Sequence, residues 1–143
     1  VLIAAILRAK GPAVVTVRPD TTIAHLLTGL ARHDIGAAVV VDRDGRVVGV
    51  ASERDIVRRL AEQGWGLLAA RVRDIMTSPV TVCAPHDSVD SLALVMTRRR
   101  IRHIPVVSGE RLAGVVSVGD VLKSRISQLE VHRDHLEAYI TRG

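Results

Sequence analysis

Two short groups of residues in this chain could do chemistry, and each is nearly a copy of the other. Ser52-Glu53-Arg54-Asp55 and Ser117-Val118-Gly119-Asp120 both read S-x-x-D at the head of an apolar helical stretch. This spacing builds a capping box, in which serine oxygen and carboxylate satisfy each other's backbone N–H groups. That use is structural. The same arrangement also presents a carboxylate able to accept two hydrogen bonds from a ribose 2′,3′-diol. The adjoining helix terminus, with free N–H groups and the positive end of its dipole, suits a phosphate.

A third group is cationic. Arg98, Arg99, Arg100 and Arg102 lie within five positions with no acid among them. Arg98 and Arg99 read as a solvated helix end, where cations suit the dipole. Arg102 and His103 differ, because they open a strand between Ile101 and Ile104. The guanidinium fork of Arg102 matches phosphate geometry. Arg54 adds a further cation beside Asp55.

Other candidates carry less. His132 and His135 stand three apart on the C-terminal helix and lack further ligands at a recognisable spacing. His25, His33 and His86 have no evident partner. Cys83 reads as a small buried residue, since a nucleophile needs an activating histidine or helix terminus. There is no Walker loop and no GxGxxG, and no reaction is suggested, so a non-enzymatic role without a catalytic cofactor is expected.

The elements that position these residues follow from an internal repeat. VTV occurs at 15–17 and 80–82; GVASERD at 49–55 matches GVVSVGD at 114–120. Both pairs are displaced by 65 positions. Between them each copy has an amphipathic stretch (Ile23, Leu26, Leu27, Leu30; then Val89, Leu92, Ala93, Met96) and an apolar run, IGAAVVVD or IRHIPVVS. Each copy predicts strand, helix, strand, strand, helix. Strands are expected at Val14–Val17, Ala37–Val41, Arg46–Ala51 and Val80–Val82, and helices at Thr22–His33 and Ser88–Arg100, with Thr21 and Asp87 as N-caps. Asp42-Arg43-Asp44-Gly45 and Ser108-Gly109-Glu110 read as hairpin turns, and Val72–Met76 as a short helix.

The organisation is therefore α/β (α+β): two βαββα repeats packed sheet to sheet with approximate two-fold symmetry. Residues 1–62 form the first repeat, 63–71 a linker, 72–125 the second repeat, and 126–143 an extension of the C-terminal helix. Ile126, Leu129, Leu136, Tyr139 and Ile140 fall roughly on one face of that helix. They either cover the domain's own core or make a dimer contact.

Composition bounds the function. Of 143 residues 48% are hydrophobic yet only 1% aromatic, which supports a packed aliphatic core and excludes disorder. The single cysteine excludes an internal disulfide and fits a reducing compartment; a cytoplasmic location is expected. No apolar run approaches the roughly 20 residues of a membrane span. Val1–Leu7 lacks the basic leader and cleavage site of a signal peptide. The net charge of +5 suggests an anionic partner, but removing the four clustered arginines would leave +1. Nucleic-acid binding through Arg98–Arg102 is the alternative this charge raises. The missing aromatics and the lack of a recognition helix argue against it.

The duplicated G-h-x-S-x-x-D, the IRHIPVV run and the repeat length together resemble a tandem cystathionine-β-synthase-type (CBS) domain pair, or Bateman module. Nearly the whole chain is similar to small stand-alone bacterial CBS-pair proteins. The resemblance implies a regulatory, energy- or redox-sensing module that binds AMP, ADP, ATP or NAD(H), or alternatively S-adenosylmethionine. It also implies a homodimer with a downstream target that the chain does not name. Asp55 and Asp120 would hold ribose; Ser52, Arg54, Arg102, His103 and Ser117 would lie at phosphates. Each ligand would sit between repeats. Asp55 would share a site with Val80, Thr81, Ile101, Arg102 and His103, and Asp120 with Val14, Val15, Ile35, Gly36 and Ala37. The base would be gripped by aliphatic side chains and backbone, and the Asp55 site would take the more phosphate-rich ligand.

Overall fold

Apolar spacing sets the first helix of each repeat, and a hydroxyl one position later than expected starts it. A computed structural model describes residues 1–11 and 14–142. Helix α1 spans Ile3–Lys10, strand β1 Thr16–Val17, and helix α2 Ile23–His33. A hairpin of β2 (Ala37–Val41) and β3 (Val47–Ser52) runs into helix α3 (Glu53–Gln63). The second half holds α4 (Val89–Arg99), β4 (His103–Ser108), β5 (Arg111–Ser117) and the long α5 (Val118–Arg142). Ile23, Leu26 and Leu30 turn inward from α2, as do Val89, Leu92 and Met96 from α4. The N-caps are Thr22 and Ser88, whose side-chain oxygens accept from His25 N and Ser91 N. Thr21 and Asp87 are not the caps; they close the preceding turns instead, accepting from Arg18 N and Ala84 N.

The molecule is mixed α/β with two small sheets. One has the order β1-β2-β3, the other pairs β4 with β5. Both hairpins are antiparallel, with a bulge at Val40/Val41 and at Val106/Val107. The strand expected at Val80–Val82 does not form, and Val14–Val17 shortens to its last two residues. In the first copy Val39 N donates to Val15 O at 3.3 Å. Pro105 stands in the place of Val39 and has no N–H to give. The second copy keeps only a parallel bridge between Cys83 and Val106.

Two cores fill the repeats, and each borrows from the segment leading into the other. Ile3 and Ile6 of α1 belong to the core of Val89, Leu92, Ile104 and Val116. Gly64–Ala69, expected as linker, is a 3₁₀ turn that buries Leu67 with Ile23, Leu26 and Val40. Backbone bonds repeat the exchange: Ile23 N donates to Ala70 O at 2.9 Å, and Val89 N to Val1 O at 3.0 Å.

These crossings explain the glycine of the duplicated motif. A Cβ on Gly49 would stand 2.9 Å from Met76 Sδ and 2.9 Å from Thr77 O. One on Gly114 would stand 2.6 Å from Leu7 Cδ2. At Gly49, where the neighbour is backbone, only glycine lets the incoming segment lie flat on the hairpin.

Helix α5 is uninterrupted from Val118 to Arg142, so residue 126 begins no new element. Val121 packs on the second core, but Ile126, Leu129, Leu136, Tyr139 and Ile140 are exposed. They do not cover the chain's own core. No helix among the described residues is long and apolar enough to cross a membrane.

Candidate functional site

Both S-x-x-D groups form the capping box that their spacing predicts. Ser52 N donates to Asp55 Oδ2 at 3.0 Å and Asp55 N to Ser52 Oγ at 3.2 Å. In the second copy Ser117 N donates to Asp120 Oδ2 at 2.9 Å and Asp120 N to Ser117 Oγ at 3.1 Å. The helix that follows is also tied to the helix–strand junction of its own repeat: Glu53 N donates to Gly36 O, and Val118 N to Arg102 O, both at 2.9 Å.

A cavity of about 430 Å³ opens at the first box. It lies within the size range of small-molecule sites. Ser52, Arg54, Asp55, Val80, Thr81, Ile101, Arg102 and His103 all line it, so residues from both repeats meet there. The Ser52 bonds to the Asp55 carboxylate run through Oδ2, including one from Ser52 Oγ at 2.8 Å. The sequence reading missed several wall residues, chiefly Arg58, Arg99 and Arg100. Arg58 was findable, since it stands one turn beyond Arg54 on the same helix face. Arg99 is not merely a solvated helix end; its Nη1 donates to Thr81 Oγ1 at 2.9 Å. Arg100 reaches the wall because it ends α4 in the left-handed conformation, at φ 55°. Five arginines, Arg54, Arg58, Arg99, Arg100 and Arg102, line the cavity against two acidic residues, Glu53 and Asp55, so the cavity is cationic. A neighbouring cavity of about 480 Å³ shares Arg54, Arg100, Ile101 and Arg102 and runs between α4 and α5.

Gly36 belongs to the Asp55 cavity rather than to Asp120, because the Glu53–Gly36 bond fixes it there. A Cβ on Gly36 would stand 3.3 Å from Glu53 Oε1 and in ordinary contact, at 3.6 Å, with His103 Cε1. Burial pushes His103 below the ordinary imidazole value, Glu53 acts against that, and Lys10 acts with it.

The second box is occupied from within. Lys10 Nζ donates to Asp120 Oδ2 and to Val115 O. Burial raises the Asp120 carboxyl, but the Lys10 and Ser117 hydrogen bonds and the Lys10 charge outweigh it and hold it below the usual carboxylate range. Asp120 lines a cavity of about 330 Å³ between α1 and α5, with Lys10, Lys123 and Ser124. Of the residues expected beside it, Val15 and Ile35 pack on the first core, Ala37 is buried and Val14 half-buried.

Cys83 is half-buried, with its Sγ 3.6 Å from Pro105 O. Burial, aided by Asp87, pushes its thiol up to about 11. His132 and His135 are exposed on α5, and no cluster of three or more potential metal ligands occurs among the described residues.

A duplicated α/β unit with a cationic, carboxylate-bearing cleft where its copies meet defines a tandem-repeat module. The CBS domain family matches residues 11–62 and again 72–127, and the chain belongs to that family as a CBS pair, a regulatory type of module. A CBS-domain protein of Agrobacterium tumefaciens has a similar structure, with TM-score 0.83 and 44% identity, covering 87% of this chain and 92% of that one. A mitochondrial CBS domain-containing protein of Arabidopsis thaliana is 33% identical over 128 residues, covering 87% of this chain and 62% of its own length. Another curated relative is spanned over 33% of its length, so the chain equals one part of such longer proteins. A CBS domain pair solved in complex with 5′-methylthioadenosine and S-adenosyl-L-methionine has TM-score 0.80 and 26% identity, covering 90% of this chain and 98% of that one.

Proposed function

We propose that this CBS pair is a sensor of adenine nucleotides, binding AMP, ADP, ATP or NADH in the Asp55 cavity and acting as a homodimer on a separate target. The observation that carries this reading is the meeting of Asp55 with five arginines and aliphatic walls from both repeats. Asp55 would hold the ribose diol, and Arg54, Arg102 and His103 would lie at the phosphates. Val80 and Ile101 would grip the base. A related pair binds adenosyl compounds, which supports the ligand class. The cationic wall favours phosphate-bearing ligands over S-adenosylmethionine, whose sulfonium is itself a cation. Ligand held by both repeats would favour one relative arrangement of them, to the extent that it binds that arrangement better.

The test is calorimetry with AMP, ADP, ATP, NADH and S-adenosylmethionine on wild type and Asp55→Asn. A phosphate-bearing nucleotide should bind, and the variant should weaken it by about tenfold or more, the size of one charge-assisted hydrogen bond. If wild type binds S-adenosylmethionine alone, or nothing, the reading fails.

A further inference from the structure

The outer face of α5 carries a pattern that lies outside the Asp55 cavity. Leu122, Ile126, Leu129, Leu136 and Ile140 recur at alternating steps of four and three, with Arg133 completing the series. In heptad terms leucine fills each d position and isoleucine two of the three a positions. Ile at a and Leu at d is the combination that favours two parallel strands, and one polar a residue fixes register. The five apolar side chains are 50–75% exposed. Face assignment agrees with the packing: Lys123, Ser124, Ser127 and Gln128 turn to the α1 side and Val121 to the core, while Leu122, at the start of the series, also borders the cavity between α4 and α5. The series runs on the remaining face, about 27 Å from Leu122 to Ile140.

The flanking positions carry complementary charge. In a parallel pair, each g residue meets the e residue five positions on in the partner. Arg125 would then meet the partner's Glu130, and His132 the partner's Glu137. Arg125 holds Asp90 through Nη1 at 2.8 Å, which leaves the rest of its five-donor fork for that contact. An antiparallel pair would set e against e, and both e positions beyond Arg125 are glutamates.

We infer that a second copy of this chain covers this face, the two α5 helices forming a parallel, in-register, two-stranded coiled coil. This rests on the homodimer proposed above and names where the copies meet. The seam is short for an isolated coiled coil, so it works together with the folded bodies that flank it.

Sedimentation equilibrium and oxidative cross-linking on the full chain test it. Leu129→Lys/Leu136→Lys alters only exposed side chains, so its melting curve should keep the cooperative transition while the dimer dissociates at least tenfold more readily. In a Cys83→Ser background, Leu136→Cys and Leu129→Cys should each cross-link to themselves, since equivalent d residues face one another only in a parallel seam. If wild type dimerises but the lysine variant dimerises equally well, the copies meet elsewhere and this inference falls while the homodimer stands. If wild type is monomeric, both fall. Dimers in which neither cysteine variant cross-links overturn the parallel arrangement.

Discussion

Lys10 Nζ lies 2.8 Å from Asp120 Oδ2 and donates a second bond of 2.8 Å to the carbonyl of Val115. Asp120 is the counterpart of Asp55, yet the two carboxylates are in opposite situations. One opens on a cationic cavity. The other already has a cation bound to it, delivered by a helix from the far end of the chain.

This asymmetry predicts one nucleotide per wild-type chain, taken at Asp55. Lys10→Ala should free Asp120 and raise the stoichiometry toward two. It should lower stability by no more than about 1 kcal/mol, because Lys10 is partly exposed. Titration calorimetry reads the first and urea unfolding the second. Two equivalent sites in the unaltered protein would show that Lys10 does not close the second.

The motif glycines should differ in tolerance. Gly49→Ala pushes a methyl against Thr77 O, a backbone atom that also accepts from Val50 N at 3.2 Å. Relief requires the whole segment to shift, at about 1–3 kcal/mol. Gly114→Ala meets the end of the Leu7 side chain, which can change rotamer, and should cost less. Chemical denaturation of both variants checks the order; a more harmful Gly114→Ala would contradict it.

Arg100 should show stability and binding moving in opposite directions. Its left-handed backbone is strained for any residue but glycine, so Arg100→Gly should stabilise the fold by about 1 kcal/mol. The same change removes a cavity-wall guanidinium and should weaken a phosphate-bearing ligand by about tenfold. A melting curve and a binding isotherm on one sample decide. Loss of both properties would mean that Arg100 supports the α4 terminus structurally.

His103 predicts the pH dependence. Burial holds its folded value below the ordinary imidazole value of 6.5, so between the two the unfolded chain binds more protons than the folded one. Stability contributed by this group is therefore lost as pH falls from about 6.5 down through the lower folded value. A bound phosphate would favour the imidazolium, so nucleotide affinity should rise over the same interval, with proton uptake. Calorimetry in buffers of different ionisation enthalpy measures that uptake. His103→Gln should abolish it; uptake that persists would assign it to another group.

Much of this was legible because duplication makes each copy a check on the other. The two hairpins and the two capping boxes follow from register, whereas the gathering of Asp55 with Thr81, Arg102 and His103 was implied by the family resemblance. What resisted was set by contacts between segments remote in sequence. Nothing near Lys10 announces that it will reach Asp120, 110 positions away. The allocation of Gly36 turned on one backbone bond to Glu53, and the second strand was lost because Pro105 lacks a hydrogen. Arg99 resisted for a local reason: a helix-end arginine and a cavity arginine look alike until the chain turn at Arg100 is known.

The exchanged lead-in segments have a consequence for how the protein is made. Helix α1 is synthesised before the second repeat, and Ile3 and Ile6 find their core only when Val116 has been made. Until then an amphipathic helix with no binding place waits beside a first repeat that is already able to close over Leu67. Contacts of such long sequence separation fold slowly and leave apolar surface open in the meantime. Folding of the pair should therefore end with α1 docking onto the second repeat, and removing Val1–Lys10 should harm the repeat that lies farther from them in sequence.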